Sequence, residues 1–141
     1  MRIRSKLVPS AVITFLLLLI CAGTAMAQQP KSLVATVNGE GTIKLGKEKF
    51  PIHAVVVKLF EDGKAELNII TDITVFVSGT WERGPDTEKT IDFKITGGSA
   101  SNLNGGGKLF LTDDRQSISA LKLQVTNKLT NKVISADFVA K

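Results

Sequence analysis

The sequence predicts an all-β protein, an antiparallel up-and-down meander of seven or eight strands closing into a small barrel, with an Ig-like β-sandwich as the alternative. Three observations carry that prediction. After Pro30 almost every segment alternates apolar and polar residues with period two, as strands with one buried face do. Clusters of turn formers interrupt the alternation at short intervals, and short connections favour antiparallel neighbours. No stretch beyond Pro30 repeats its apolar residues at helical spacing.

From Leu33 to Leu45 the odd positions read Leu, Ala, Val, Gly, Gly, Ile, Leu, and the even ones are mostly polar. The preserved parity allows one long strand bent at Gly39 and Gly41, or a hairpin around Asn38-Gly39-Glu40. Residues 50–60 include Ala54-Val55-Val56-Val57, apolar on both faces. Such a run suits a strand covered on both sides, or one whose inward set shifts at a bulge. Asp62-Gly63 then supplies the strongest hairpin signal of the chain. Beyond it Ala65, Leu67, Ile69, Ile73, Val75, Val77 and Trp81 share one face. That stretch is longer than a usual strand, so a bend or break is expected near Thr71-Asp72.

Ile91, Phe93 and Ile95 alternate with Asp92, Lys94 and Thr96 in the next strand. Residues 97–107 hold one substantial apolar side chain, Leu103, too little burial to offset ordering, and are expected to form a mobile loop at one end of the barrel. Three strands follow over 108–111, 117–126 and 133–140, joined by segments of turn formers. Pairing of residues 33–37 with 134–140 is the expected closure, which removes exposed edges. A sandwich would need longer crossings than the sequence offers outside 97–107.

The N-terminus carries a targeting pattern. Arg2, Arg4 and Lys6 precede an apolar stretch over 11–22, and Ala25-Met26-Ala27 follows. A cationic head, a short apolar middle and a small-x-small site are the parts of a cleavable signal peptide. Its 12 apolar-stretch residues fall short of the ~20 of a spanning helix. Cys21 follows Leu19-Ile20, bulky where a lipidation site takes small residues. The expected organisation is a signal peptide at 1–27, a short polar entry at 28–31 and a single all-β domain at 32–141. Export to the periplasm or the extracellular space follows, with no integral membrane span after cleavage.

Cleavage would remove the single cysteine and three cations, leaving 114 residues with 15 Lys and Arg against 13 Asp and Glu. So even a balance offers no footprint for nucleic acid. A cysteine-free domain has no disulfide, and this length can bury a sufficient core without one. His53 is the only histidine and tyrosine is absent, which removes most acid–base and nucleophile chemistry. His53 shares index parity with Val55, Val57 and Leu59, a structural position. Asp113-Asp114 sit in an expected turn without the spaced oxygen donors of a calcium loop. Gly105-Gly106-Gly107 lack the Gly-Lys-Ser or Gly-Lys-Thr continuation and the helix of a phosphate loop. The chain is therefore read as a non-enzyme with no metal and no cofactor.

Gly79-Thr80-Trp81 in an exported antiparallel β-domain resembles the Gly-x-Trp near the closure of calycin-type barrels such as lipocalins and avidins. The likeness covers three residues, and in those families the motif lies on the first strand, whereas here it ends the third or fourth. No family binding residue carries over. Two functional classes remain. One is a noncatalytic barrel holding a small apolar or amphipathic ligand against Ile69, Ile73, Val75, Val77 and Trp81. The other is an envelope or extracellular interaction module in which Phe60, Phe76 and Phe110 form an outer patch for a protein partner.

Overall fold

A computed structural model describes residues 28–100 and 102–141; the expected signal peptide lies outside the described residues. Eight strands follow one another: β1 (Leu33–Leu45), β2 (Glu48–Leu59), β3 (Lys64–Ile70), β4 (Thr74–Trp81), β5 (Thr90–Gly98), β6 (Leu103–Leu111), β7 (Ile118–Asn127) and β8 (Val133–Ala140). Each pairs antiparallel with its sequence neighbours, and β8 pairs with β1, so the meander closes into a barrel. No helix occurs among the described residues. Following the pairings once around returns to β1 displaced by about 12 residues, a stagger that tilts the strands steeply against the axis.

β1 is one long strand with a register shift between Asn38 and Gly41, the bent-strand alternative of the two its parity allows. Closure departs from expectation. β8 pairs with Gly39 through Leu45, whereas residues 33–37 pair only with β2. The stagger is the reason: β8 ends at Ala140, opposite Gly39, and the first part of β1 runs on past it. A Cβ on Gly41 would stand 2.1 Å from the Asp137 carbonyl oxygen, so only glycine lets β8 come this close.

The Asp62-Gly63 turn forms as expected. The Asp62 carboxylate accepts from the Lys64 amide at 3.0 Å, Gly63 takes φ +93°, and its amide donates to the Phe60 carbonyl. The long stretch beyond it breaks into the β3–β4 hairpin, with Ile70 paired to Thr74 across three residues. Thr71 organises that turn, its buried hydroxyl accepting from the Ile73 amide and donating to the Ile73 carbonyl. Ile73 is therefore a turn residue, 50% exposed, and not a member of the inward face. In β2 the inward set moves from Ile52 to Val55, with His53 between them exposed. The side chain at 53 therefore does not follow those of Val55 and Val57.

Most of residues 97–107 lie in strands and not in a loop. Gly97 and Gly98 end β5, Leu103 begins β6, and Gly105, Gly106 and Gly107 lie inside β6, paired to β5 and β7 on both sides. Backbone hydrogen bonds on both edges supply the order that side-chain burial could not. A Cβ on Gly105 or Gly107 would meet the Gln124 or Lys122 carbonyl oxygen at 2.2 Å. The glycines mark a crowded ladder.

The inward side chains form one continuous core contributed by all eight strands. Gly41→Ala should lower the unfolding free energy by about 3 kcal/mol through overpacking against β8, and Leu121→Ala, at a fully buried position, by ~2–5 kcal/mol through a cavity. Urea unfolding of both variants checks the pair; a stability unchanged in Gly41→Ala would contradict the close approach of β1 and β8.

Candidate functional site

The interior was one candidate, and its packing decides what it can hold. Ile43, Val55, Val57, Ile69, Ile95, Leu109, Leu121 and Val125 expose 0% of their surface. A void wide enough for a ligand would leave the atoms around it open to a water-sized contact. These eight residues come from six strands spread around the barrel. Of the five residues expected to line a ligand, Ile69, Val75, Val77 and Trp81 are buried in this core, and Ile73 is outside it. Trp81 closes one end, its indole N–H donating to the Phe60 carbonyl at 2.8 Å, which satisfies the only polar atom of the side chain.

The second candidate was the outer aromatic patch. Phe60 lies in the β2–β3 turn, Phe76 on β4 opposite Asn68, and Phe110 on β6 opposite Thr90. Phe76 stands near the level of Gly98 and Phe110 at the level of Thr90, opposite ends of β5, about 26 Å apart at strand rise. Phe60 lies beyond Thr80, at the other end of β4 from Phe76. The three rings do not converge. Phe110 instead continues a row through Ala120 and Val139 across β6, β7 and β8. Val139, like Val34 on β1, is apolar at an outward position and largely exposed. Their sequence signal was an apolar residue at the polar parity of its strand.

Polar groups gather at the barrel end that holds Trp81. Gln29 is buried; its amide N–H donates to the Asp86 carboxylate at 2.8 Å and its side chain donates to the Glu88 carbonyl. Arg83 donates to the Gln29 carbonyl at 3.0 Å, and the buried Arg115 donates to the Asp86 carbonyl. Three segments remote in sequence are thus tied together: the entry, the β4–β5 loop and the β6–β7 turn. No local pattern announces Gln29 or Arg115, because each acts on backbone distant in the chain.

The acidic pair Asp113-Asp114 belongs to that β6–β7 turn. Lys89 Nζ lies 2.6 Å from Asp113 and holds its carboxyl below the ordinary aspartate range. Asp114 is lowered by the Thr112 hydroxyl at 2.6 Å and by the Gln116 amide. Both carboxylates are exposed, each bonded to turn or loop groups and not to the other. His53 faces Asp72 at 3.8 Å, both side chains mostly in solvent. Among the described residues no three His, Cys, Asp or Glu side chains are placed to hold a metal, and no helix is long and apolar enough to cross a membrane.

Open grooves lie at the surface. One of about 730 Å³ runs between the β4–β5 loop and the bare backbone of Gly105 and Gly106; another of about 910 Å³ lies at the opposite end, between the β1–β2 turn and the β7–β8 connection. Of the five residues expected to line a ligand, Trp81 lines the first groove, and Ile69, Ile73, Val75 and Val77 line neither. Comparison of the chain with protein-family models, curated proteins and solved structures finds no match.

Removing the Gln29 amide should cost about 1–2 kcal/mol, read as a lower urea midpoint for Gln29→Ala with an unchanged circular dichroism spectrum. Thr112→Val should raise the titration midpoint of Asp114, followed by carboxyl carbon NMR. Because the folded values of Asp113 and Asp114 lie below the unfolded ones, their contribution to stability is complete above the ordinary aspartate range and is lost as pH falls through the folded values.

Proposed function

We propose that the mature chain is an exported, noncatalytic β-barrel scaffold that works through its outer surface, as a protein-interaction or structural module of the envelope or extracellular space. The observation that carries this reading is the burial of the interior: eight inward side chains without exposed surface support a core filled by side chains over one that holds a small ligand. Small eight-stranded barrels either fill their interior with side chains or hold one small ligand, and this one supports the first use. The sparse reactive chemistry of the sequence, one histidine and no tyrosine, supports a noncatalytic role. Export rests on the leader pattern at 1–27. The likeness to calycin-type barrels enters this reading at the level of architecture, an eight-stranded antiparallel meander with Trp81 closing one end, and brings no ligand with it.

The reading has a direct check. Expressed with its leader in a bacterium that exports it, the protein should begin at Gln28 by N-terminal sequencing. Organic extracts of the purified domain should contain no stoichiometric small molecule by mass spectrometry. Trp81, the only tryptophan, should keep its emission through titration with fatty acids, retinoids and sterols. A retained lipid or a saturable emission change would overturn the scaffold reading in favour of a carrier.

A further inference from the structure

Charge is divided between the two ends of the barrel. At the end that holds Trp81, the β2–β3, β4–β5 and β6–β7 connections carry seven acids against three cations. The four connections at the opposite end carry three lysines, Lys47, Lys128 and Lys132, against Asp72 alone. Lys44 and Lys49 join them, directly opposed across β1 and β2 next to the β1–β2 turn, an arrangement of like charges that costs stability. All five lysines are exposed, and the ion pairs among the described residues all join other cations. Five of the fifteen cations from Gln28 onward and one of the thirteen acids, Glu48, thus fall within 44–49 and 127–132, leaving ten cations against twelve acids elsewhere. The positive charge of the domain is concentrated at this end.

Apolar surface lies among these charges. Leu129, in the β7–β8 connection, is 75% exposed, on a backbone that hydrogen bonds hold in place. The Asn127 side-chain oxygen accepts from the Leu129 amide at 3.0 Å, the Asn131 amide donates to the Asn127 carbonyl, the Lys128 amide to the Asn102 carbonyl and the Gly46 amide to the Val133 carbonyl. The groove of about 910 Å³ beside it has Leu45, Val133 and Ile134 in its walls together with Lys47 and Lys132. We infer that this end of the barrel docks on an anionic lipid bilayer, Leu129 entering the boundary between headgroups and acyl chains while the five lysines meet lipid phosphates. A bilayer interface accepts an apolar point and the cations around it together, whereas a soluble polyanion would answer the lysines and leave Leu129 in water. The acidic end is repelled by the same surface, so the field turns the barrel before contact. The inference rests on the scaffold reading and names the partner of its outer surface. Attachment of this kind is peripheral and reversible, and salt weakens it.

Co-sedimentation of the mature chain with vesicles of equal parts phosphatidylglycerol and phosphatidylcholine should show saturable binding that weakens as salt rises, and none on phosphatidylcholine alone. Lys47→Glu with Lys132→Glu should weaken it about tenfold or more, and Leu129→Ser about tenfold. Lys31→Glu with Lys94→Glu changes the net charge equally at exposed positions away from this end, and should leave binding within about twofold because distant charges are screened. The urea midpoint of each variant verifies that it is folded. Leu129→Trp should shift its emission to shorter wavelength on the anionic vesicles. Absence of binding to those vesicles at low salt would overturn the inference. So would equal weakening by the two lysine pairs, or poly-glutamate bound as tightly as the vesicles together with a Leu129→Ser variant that binds them like the parent. The scaffold reading fails on a different result, a retained small molecule, so the two failures are told apart.

Discussion

Everything in this barrel depends on how β1 meets β8. The strand is bent by its register shift between Asn38 and Gly41, and at Gly41 the two backbones approach so closely that a Cβ would be 2.1 Å from the Asp137 oxygen. Without that approach the eight strands would form an open sheet with two long free edges. With it, β8 finds a partner on its second side and the surface closes, while the beginning of β1 overhangs, paired with β2. The overhang follows from the same stagger that allows closure. A steeply tilted meander cannot end all its strands at one level when its first strand is 13 residues long and its last is 8.

Closure at this stagger also sets a problem of filling. Steeply tilted strands enclose a wider space than upright ones, and side chains must occupy it. The inward aromatic residues answer that need where neighbouring glycines leave space. Phe93 is paired with Gly107 and its ring lies where a Cβ on Gly107 would be, 2.8 Å away; Phe138 covers Gly39 in the same manner at 2.7 Å. A ring lying over a glycine on the adjacent strand restores the packing that the glycine forgoes. Glycine lets the backbones close up and the aromatic ring fills the space left inside, so the two residue types act as a pair.

That pairing explains which parts of the fold were legible in the sequence. Alternation is a property of a single strand, so the inward identities of Leu67, Ile69, Val75, Val77 and Phe138 could be read directly, as could the Asp62-Gly63 turn, whose chemistry is local. Residues 97–107 could not be read in isolation. Their composition lacks burial, and the order comes from two neighbouring strands that the segment itself does not specify. Ile73 was misplaced because parity continues through a three-residue turn on paper, while the buried Thr71 hydroxyl diverts the chain. Phe60, Phe76 and Phe110 illustrate a further limit: parity tells that a residue faces outward but not its height on the barrel. The ties made by Gln29 and Arg115 to distant carbonyls had no local signature at all.

The same distant ties bear on how β1 begins. The open part of β1 begins four residues after Gln29, at Leu33, which is itself buried against the core. Gln29 is held by the β4–β5 loop through three hydrogen bonds, so the chain entering β1 is fixed on both sides of the exposed Lys31 and Ser32. A strand end that was free to fray would lose much of its pairing with β2 to the entropy of ordering. Here residues 33–37 are committed to β2 through the ladder and to the core through Leu33. The polar cluster at the barrel end therefore acts on the fold at a distance: by holding the entry of β1 in place, it keeps residues 33–37 seated on β2 and the core.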